Sequence, residues 1–117
     1  MPTGEILDPA VVAELRRAGE GFGDPGFIGR LAGLFQANTP GKMDRIRQAL
    51  AAEDVAAVGE VAHTLRTNCG MLGASRMADA CARMEDAAKR ADLPAASLAF
   101  QEADQQLPAV LEALSKL

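Results

Sequence analysis

The sequence predicts an all-α protein: an up-down antiparallel four-helix bundle with a short extra N-terminal helix. Three observations lead there. There is no Trp, no Tyr and only four Phe among 117 residues, so the 49% hydrophobic content is carried by aliphatic side chains, which favours helix over sheet. Apolar residues recur at helical spacing along most of the chain. Asp-Pro pairs and glycines punctuate that spacing with short connections, and short connections make successive helices antiparallel neighbours. The length suits one domain spanning residues 1–117.

Taken in order, Asp8-Pro9 reads as an N-cap followed by the first helical position, and a short helix follows over residues 10–18, broken by Gly19, Gly21 and Gly23. Asp24-Pro25 repeats the start signal. Phe27, Ile28, Leu31, Leu34 and Phe35 then keep helical period, and Met43, Ile46, Ala49 and Leu50 resume it beyond Pro40. This predicts one long helix, kinked or briefly broken at Thr39-Pro40. Asp54 opens the next helix, expected to reach about Leu72 and to end at Gly73. Ser75 is expected to cap a helix carrying Met77, Ala80, Cys81, Met84 and Ala88. Asp92 caps the last, with Leu98, Leu107, Val110, Leu111 and Leu114, bent at Pro108.

The charge balance excludes several classes of function. A net charge of −4 with almost no aromatics argues against nucleic acid, whose phosphates need clustered Lys and Arg. No apolar run reaches the length of a membrane span, and residues 1–5 lack the basic start and apolar stretch of a secretory signal, so cytoplasm is the expected location and no membrane partner is expected. Cys69 and Cys81 sit in apolar helical windows and read as small core hydrophobes. A metal site built on His63 and Cys69 is excluded by about 240° of helical rotation between them and by the lack of paired ligand spacings. No nucleotide-binding glycine loop and no local hydrolase signature is present.

His63 is the only histidine. At about 100° per residue, Val58, Val61, Leu65 and Leu72 cluster on one side of its helix with Cys69 beside them, and His63 points away from that core stripe. Ala56, Gly59 and Gly70 share its face. Each mid-helix glycine costs roughly 1 kcal/mol against Ala; a strip of small residues would let another protein approach an exposed imidazole, although close helix packing accounts for glycines equally well. Arg66 and Thr67, at +3 and +4, flank the histidine on the same face. A guanidinium there could hold phosphoryl oxygens, or be a surface charge paired with Glu60 or Glu53.

The stretch Ala62-His63-Thr64-Leu65-Arg66-Thr67-Asn68-Cys69-Gly70-Met71-Leu72-Gly73-Ala74 resembles the core motif of the histidine-containing phosphotransfer (HPt) family. That motif runs Ala-His-x-Leu-Lys-Gly-Ser-small and reaches Gly-Ala ten and eleven residues past the histidine, where Gly73 and Ala74 stand. Met77, Cys81, Met84 and Glu85 look like the family's following helix. Ile6-Leu7-Asp8, Asp24-Pro25-Gly26-Phe27, Leu34-Phe35 and Ala49-Leu50 fit the lead-in, so the resemblance covers nearly the whole chain.

The resemblance implies a phosphoryl carrier with no kinase or hydrolase activity of its own. His63 Nε2 would take the group from a receiver-domain aspartate or from a sensor or hybrid histidine kinase, and pass it to another receiver. Arg66 matches the family's basic residue that steadies the phosphoryl oxygens. Glu85 matches a position that could accept from Nδ1–H and orient His63; the alternative is an exposed Glu paired with Lys89. Gly59, Thr67 and Gly70 would form the partner access face. No cofactor is implied, Mg²⁺ belonging to the receiver, and a monomer is implied. Docking is expected on the open face of the His63 helix and on the helix after it, to which Met77 and Met84 could contribute. Three departures stand out: Arg66 replaces Lys, Thr67 replaces Gly and crowds the attack face, and Asn68 and Cys69 replace small hydroxyl residues, with Asn68 at the edge of the core stripe in need of a hydrogen-bond partner. The alternative is an HPt-like interaction module that binds receivers or kinases without carrying phosphate.

Overall fold

The computed structural model describes residues 6–117; residues 1–5, read above as lacking a leader, lie outside the described residues. Five helices account for most of them, with no strand among the described residues: α1 (Pro9–Gly21), α2 (Phe27–Ala51), α3 (Val55–Met71), α4 (Ser75–Lys89) and α5 (Leu93–Ser115).

All four connections use one backbone device. At the end of α1, α2, α3 and α4 a single residue adopts positive φ: Gly23 (70°), Glu53 (57°), Gly73 (80°) and Ala91 (54°). The next amide then reaches back to a carbonyl of the last helical turn, as in Asp24 N–H to Gly19 O at 2.7 Å and Ala74 N–H to Cys69 O at 2.8 Å. Asp54 and Asp92 repeat it with Ala49 and Ala87. This is the six-to-one bond of the Schellman motif, which satisfies carbonyls a helix end would otherwise orphan. In two connections the reaching residue also caps the next helix, Asp54 accepting from Ala57 N–H and Asp92 from Ala95 N–H.

Several boundaries differ from the sequence expectation. α1 runs through Gly19 and ends at Gly21, with the chain turning at Gly23. Gly19 is there for space, since a Cβ would lie 2.7 Å from the Asp24 carbonyl oxygen. Asp24-Pro25 does not start α2. It forms the turn before it, and the Asp24 carboxylate pairs with Arg30 instead of capping. α2 continues without a break through Pro40, and α5 through Pro108; both prolines are exposed, and packing of the flanking turns holds each helix together. Ser75 does not cap α4. Its hydroxyl donates to the Gly73 carbonyl and Ala74 occupies the cap position.

α2 and α4 each pack against both α3 and α5, and α1 packs on α2. The core between them holds Phe35, Met43 and Ile46 from α2, Val58, Leu65 and Cys69 from α3, Met77, Cys81 and Met84 from α4, and Phe100, Val110 and Leu114 from α5. Met77 and Met84 are fully buried and unavailable to any partner, because α4 turns its apolar stripe inward. Leu34 and Leu98, read as members of apolar stripes, are exposed, with Ala32 and Ala96 holding the inward positions near them. Cys69 and Cys81 are buried, as expected of small hydrophobes. The hydrogen bond its S–H donates to Cys81, helped by burial, holds the Cys69 thiol far above its usual range. No helix is long and apolar enough to cross a membrane, among the described residues.

Candidate functional site

The register of α3 is set at Asp54. From there Val58, Ala62, Leu65 and Cys69 face the core with no exposure, Val61 packs partly buried against it, and Glu60, His63, Thr64, Arg66 and Thr67 are exposed. His63 is one of these, its side chain 55% exposed. On α4, Met77, Ala80, Cys81, Met84 and Ala88 form the inward stripe, and Glu85 lies on that stripe. Its side chain is only 8% exposed, so it is not the exposed carboxylate of the simpler alternative.

The two helices bring His63 and Glu85 together across their seam. His63 Nδ1 lies 2.9 Å from Glu85 Oε2. An ionised carboxylate only accepts, so the proton sits on Nδ1 and the Nε2 lone pair is left free. Nε2 has no hydrogen-bond partner among the described residues. Arg66, from α3, brings a guanidinium nitrogen to 3.2 Å of Glu85 Oε1. The approach is an ion pair without hydrogen-bond alignment, since Oε1 accepts no aligned N–H. Lys89, one turn beyond Glu85, places Nζ 3.6 Å from Oε2. Burial, the largest influence on the Glu85 carboxyl, acts to raise its pKa. The His63 hydrogen bond and the charges of Arg66, His63 and Lys89 outweigh it and hold the carboxyl below its ordinary value.

The remaining site residues from the sequence fall around this cluster. Thr67 is exposed one turn beyond His63, its hydroxyl turned back to donate to the His63 carbonyl at 3.2 Å. Gly59 is half-buried; a Cβ there would make ordinary contact with Ala88 at 3.5 Å, while at Gly70 it would meet nothing within 4 Å. Close helix packing therefore requires neither glycine. Arg66 pairs with neither Glu60 nor Glu53: Glu60 lies about 240° round α3 from it and Glu53 precedes the helix, and its ion pair is the tertiary one with Glu85. Asn68 is half-buried at the edge of an apolar groove between α2 and α3, lined also by Leu34, Asn38 and Met71, which does not reach His63.

Two features were not assigned from sequence. One is the shared hold of Glu85 on His63, Arg66 and Lys89, for which the only local signal is the i, i+4 spacing of Glu85 and Lys89. The other is an open depression running from His63 and Glu85 past Gly59 and Glu60 to Val55 and Ala56.

An exposed imidazole with one nitrogen held by a buried carboxylate and the other unpartnered among the described residues can act as a nucleophile. A family model described as the Hpt domain matches residues 30–116, a span that holds His63, Arg66 and Glu85. The chain belongs to the Hpt domain family. Among solved structures, the Hpt fold of this chain is similar to the histidine-containing phosphotransfer protein B (HptB) of Pseudomonas aeruginosa PAO1. The two share 22% sequence identity with a TM-score of 0.86, over 97% of this chain and 95% of that one. At that identity the likeness speaks for the Hpt fold alone. A search of curated proteins finds no match.

Proposed function

We propose that the protein is a phosphoryl carrier in a two-component phosphorelay, with His63 as the acceptor. The observation that carries this is the pairing of an exposed His63 with the buried Glu85 carboxylate at 2.9 Å, in a chain of the Hpt family. The Nε2 lone pair attacks phosphorus in line. The P–N bond forms as the P–O bond to a receiver's aspartate, or the P–N bond to a kinase's phosphohistidine, breaks. The proton stays on Nδ1, where Glu85 stabilises the positive charge the ring acquires. In the onward step the P–N bond breaks and an acceptor aspartate takes the group. Phosphoryl transfer of this kind needs positioning and charge neutralisation more than covalent machinery.

Arg66 leaves Glu85 to meet the phosphoryl oxygens, an exchange its exposed position permits. Gly59, Thr67 and Gly70 form the face over which the partner slides. The partners are receiver domains and a sensor or hybrid histidine kinase. Mg²⁺ is supplied by the receiver's acidic pocket, and the chain brings no cofactor and no catalytic cycle of its own. It works as a cytoplasmic monomer, one domain over residues 1–117, with α2 to α5 as an up-down four-helix bundle and α1 as the short extra helix.

The deciding experiment is phosphotransfer from phosphorylated receivers and autophosphorylated kinases to the wild type and to His63→Gln. Label that survives base, is lost in acid and is absent from the variant is the expected result. One observation favours a second reading, a module that binds these partners without accepting phosphate: Thr67 stands exposed beside His63 where the family motif has Gly. Equal receiver binding by both proteins with no label on either would select it.

A further inference from the structure

The charges around His63 are balanced where a phosphoryl site would be expected to be cationic. Glu85 and Glu60 stand against Arg66 and Lys89. Both cations are already engaged, each against Glu85. Glu60 is left over: it is exposed, lies one helical turn before His63 on the same face, lines the depression that His63, Glu85 and Lys89 also line, and no salt bridge reaches it among the described residues. Within α3, Arg66 stands six residues from Glu60, about 240° round the helix, and is turned instead toward Glu85.

We propose that Glu60 is the residue that keeps phosphohistidine at position 63 a poor resting place, so that the phosphoryl group is passed on rather than stored. This rests on the phosphoryl-carrier reading above and adds a direction to it. A phosphoryl group transferred to Nε2 adds about one net negative charge to the site, its own oxygens carrying close to two against the positive ring. An uncompensated carboxylate one turn away repels them through space. Before transfer there is no phosphoryl group for it to repel, so its effect falls on the phosphorylated form. Water and salt weaken it. For charges this far apart at a surface the repulsion is a factor of roughly three in the equilibrium, not orders of magnitude. A residue of this kind tunes a carrier without touching its nucleophile.

The test uses phosphoramidate, a small anionic donor that needs no partner protein. The donor's P–N bond breaks with release of ammonia as the P–N bond to His63 forms. Wild type, Glu60→Gln and Glu112→Gln are labelled at about 50 mM and about 500 mM salt, on either side of strong screening. Glu112→Gln removes the same charge from α5. The same proteins, once labelled, are mixed with a receiver domain that exchanges with the wild type, and the ratio of phosphohistidine to aspartyl phosphate is read. Glu60→Gln is expected to label roughly threefold faster at low salt and to shift that ratio toward histidine by a similar factor, with the difference shrinking at high salt and Glu112→Gln matching wild type. Because Glu60 is exposed, thermal unfolding should not change. A wild type that labels normally beside an indistinguishable Glu60→Gln overturns the proposal and leaves the carrier function standing. A faster exchange with the receiver at an unchanged ratio makes Glu60 a docking contact and likewise overturns it. A wild type that takes no label from phosphoramidate or any receiver removes the carrier function itself.

Discussion

His63 Nδ1 and Glu85 Oε2 lie 2.9 Å apart although 22 residues separate them in the chain, and one of the two is exposed while the other is buried. The contact fixes the imidazole from behind and leaves its other nitrogen to solvent. Glu85→Gln keeps an oxygen acceptor for Nδ1–H; Glu85→Ala removes it. Phosphotransfer through His63 should therefore fall about tenfold in Glu85→Ala and clearly less in Glu85→Gln, measured as initial label transfer from one receiver. Equal losses in the two would mean that orientation of the ring is not what Glu85 supplies.

The same carboxylate makes a pH-dependent contribution to stability. Its folded pKa is depressed below the unfolded value, so the stabilisation is present above the unfolded pKa and is lost as pH falls through the folded one. Glu85→Gln should be less stable than wild type by about 1 kcal/mol at neutral pH, in urea unfolding. The gap should close as pH falls below the ordinary carboxylate range.

Gly59 and Gly70 should show opposite effects on stability and on function. Packing does not require either glycine, so Gly59→Ala and Gly70→Ala should each stabilise the protein by up to about 1 kcal/mol through helix propensity. If the strip serves partner approach, both variants should accept phosphoryl from phosphoramidate at the wild-type rate and from a receiver more slowly.

Thr67→Gly tests the crowding directly. It should cost less than about 1 kcal/mol in stability, since Thr is itself a modest helix former. Transfer from receivers should speed up, or a receiver that does not exchange with wild type should begin to. Unchanged rates with every receiver would show that the threonine is tolerated at the interface.

The turns give a paired prediction. Ala91 holds positive φ without being glycine, so Ala91→Gly should stabilise by about 1 kcal/mol. Gly73→Ala should destabilise by roughly 2 kcal/mol or more. It strains φ at 80° and brings a Cβ to 3.1 Å of both the Asp8 amide nitrogen and the Val11 Cβ, where α1 joins the α3–α4 corner. Chemical denaturation of both variants against wild type gives each sign.

Most of the helices were legible because their signals are local. Apolar period, Asp caps at Asp8, Asp54 and Asp92, and the glycines at Gly23 and Gly73 are properties of a few neighbouring residues. The errors arose where a local signal competes with packing. Pro40 and Pro108 read as interruptions, but their helices are held by contacts on either side. Leu34 and Leu98 fit an apolar stripe, but smaller alanines take the buried positions. Glu53 and Ala91 carry positive φ with no residue type to announce it.

At the site, the sequence by itself determined that His63, the candidate nucleophile, is exposed. A lone histidine opposite an apolar stripe can only face outward once that stripe is buried, and the spacing of Gly73 and Ala74 marked the family. What only the tertiary structure decided is the company His63 keeps. Whether Glu85 is buried beside His63 or a surface ion, and whether Arg66 meets it, depends on how α3 and α4 register against each other. That register is set by interlocking core side chains such as Leu65, Cys69, Cys81 and Met84. Packing of this kind is a property of two surfaces at once, and no window of a single helix contains it.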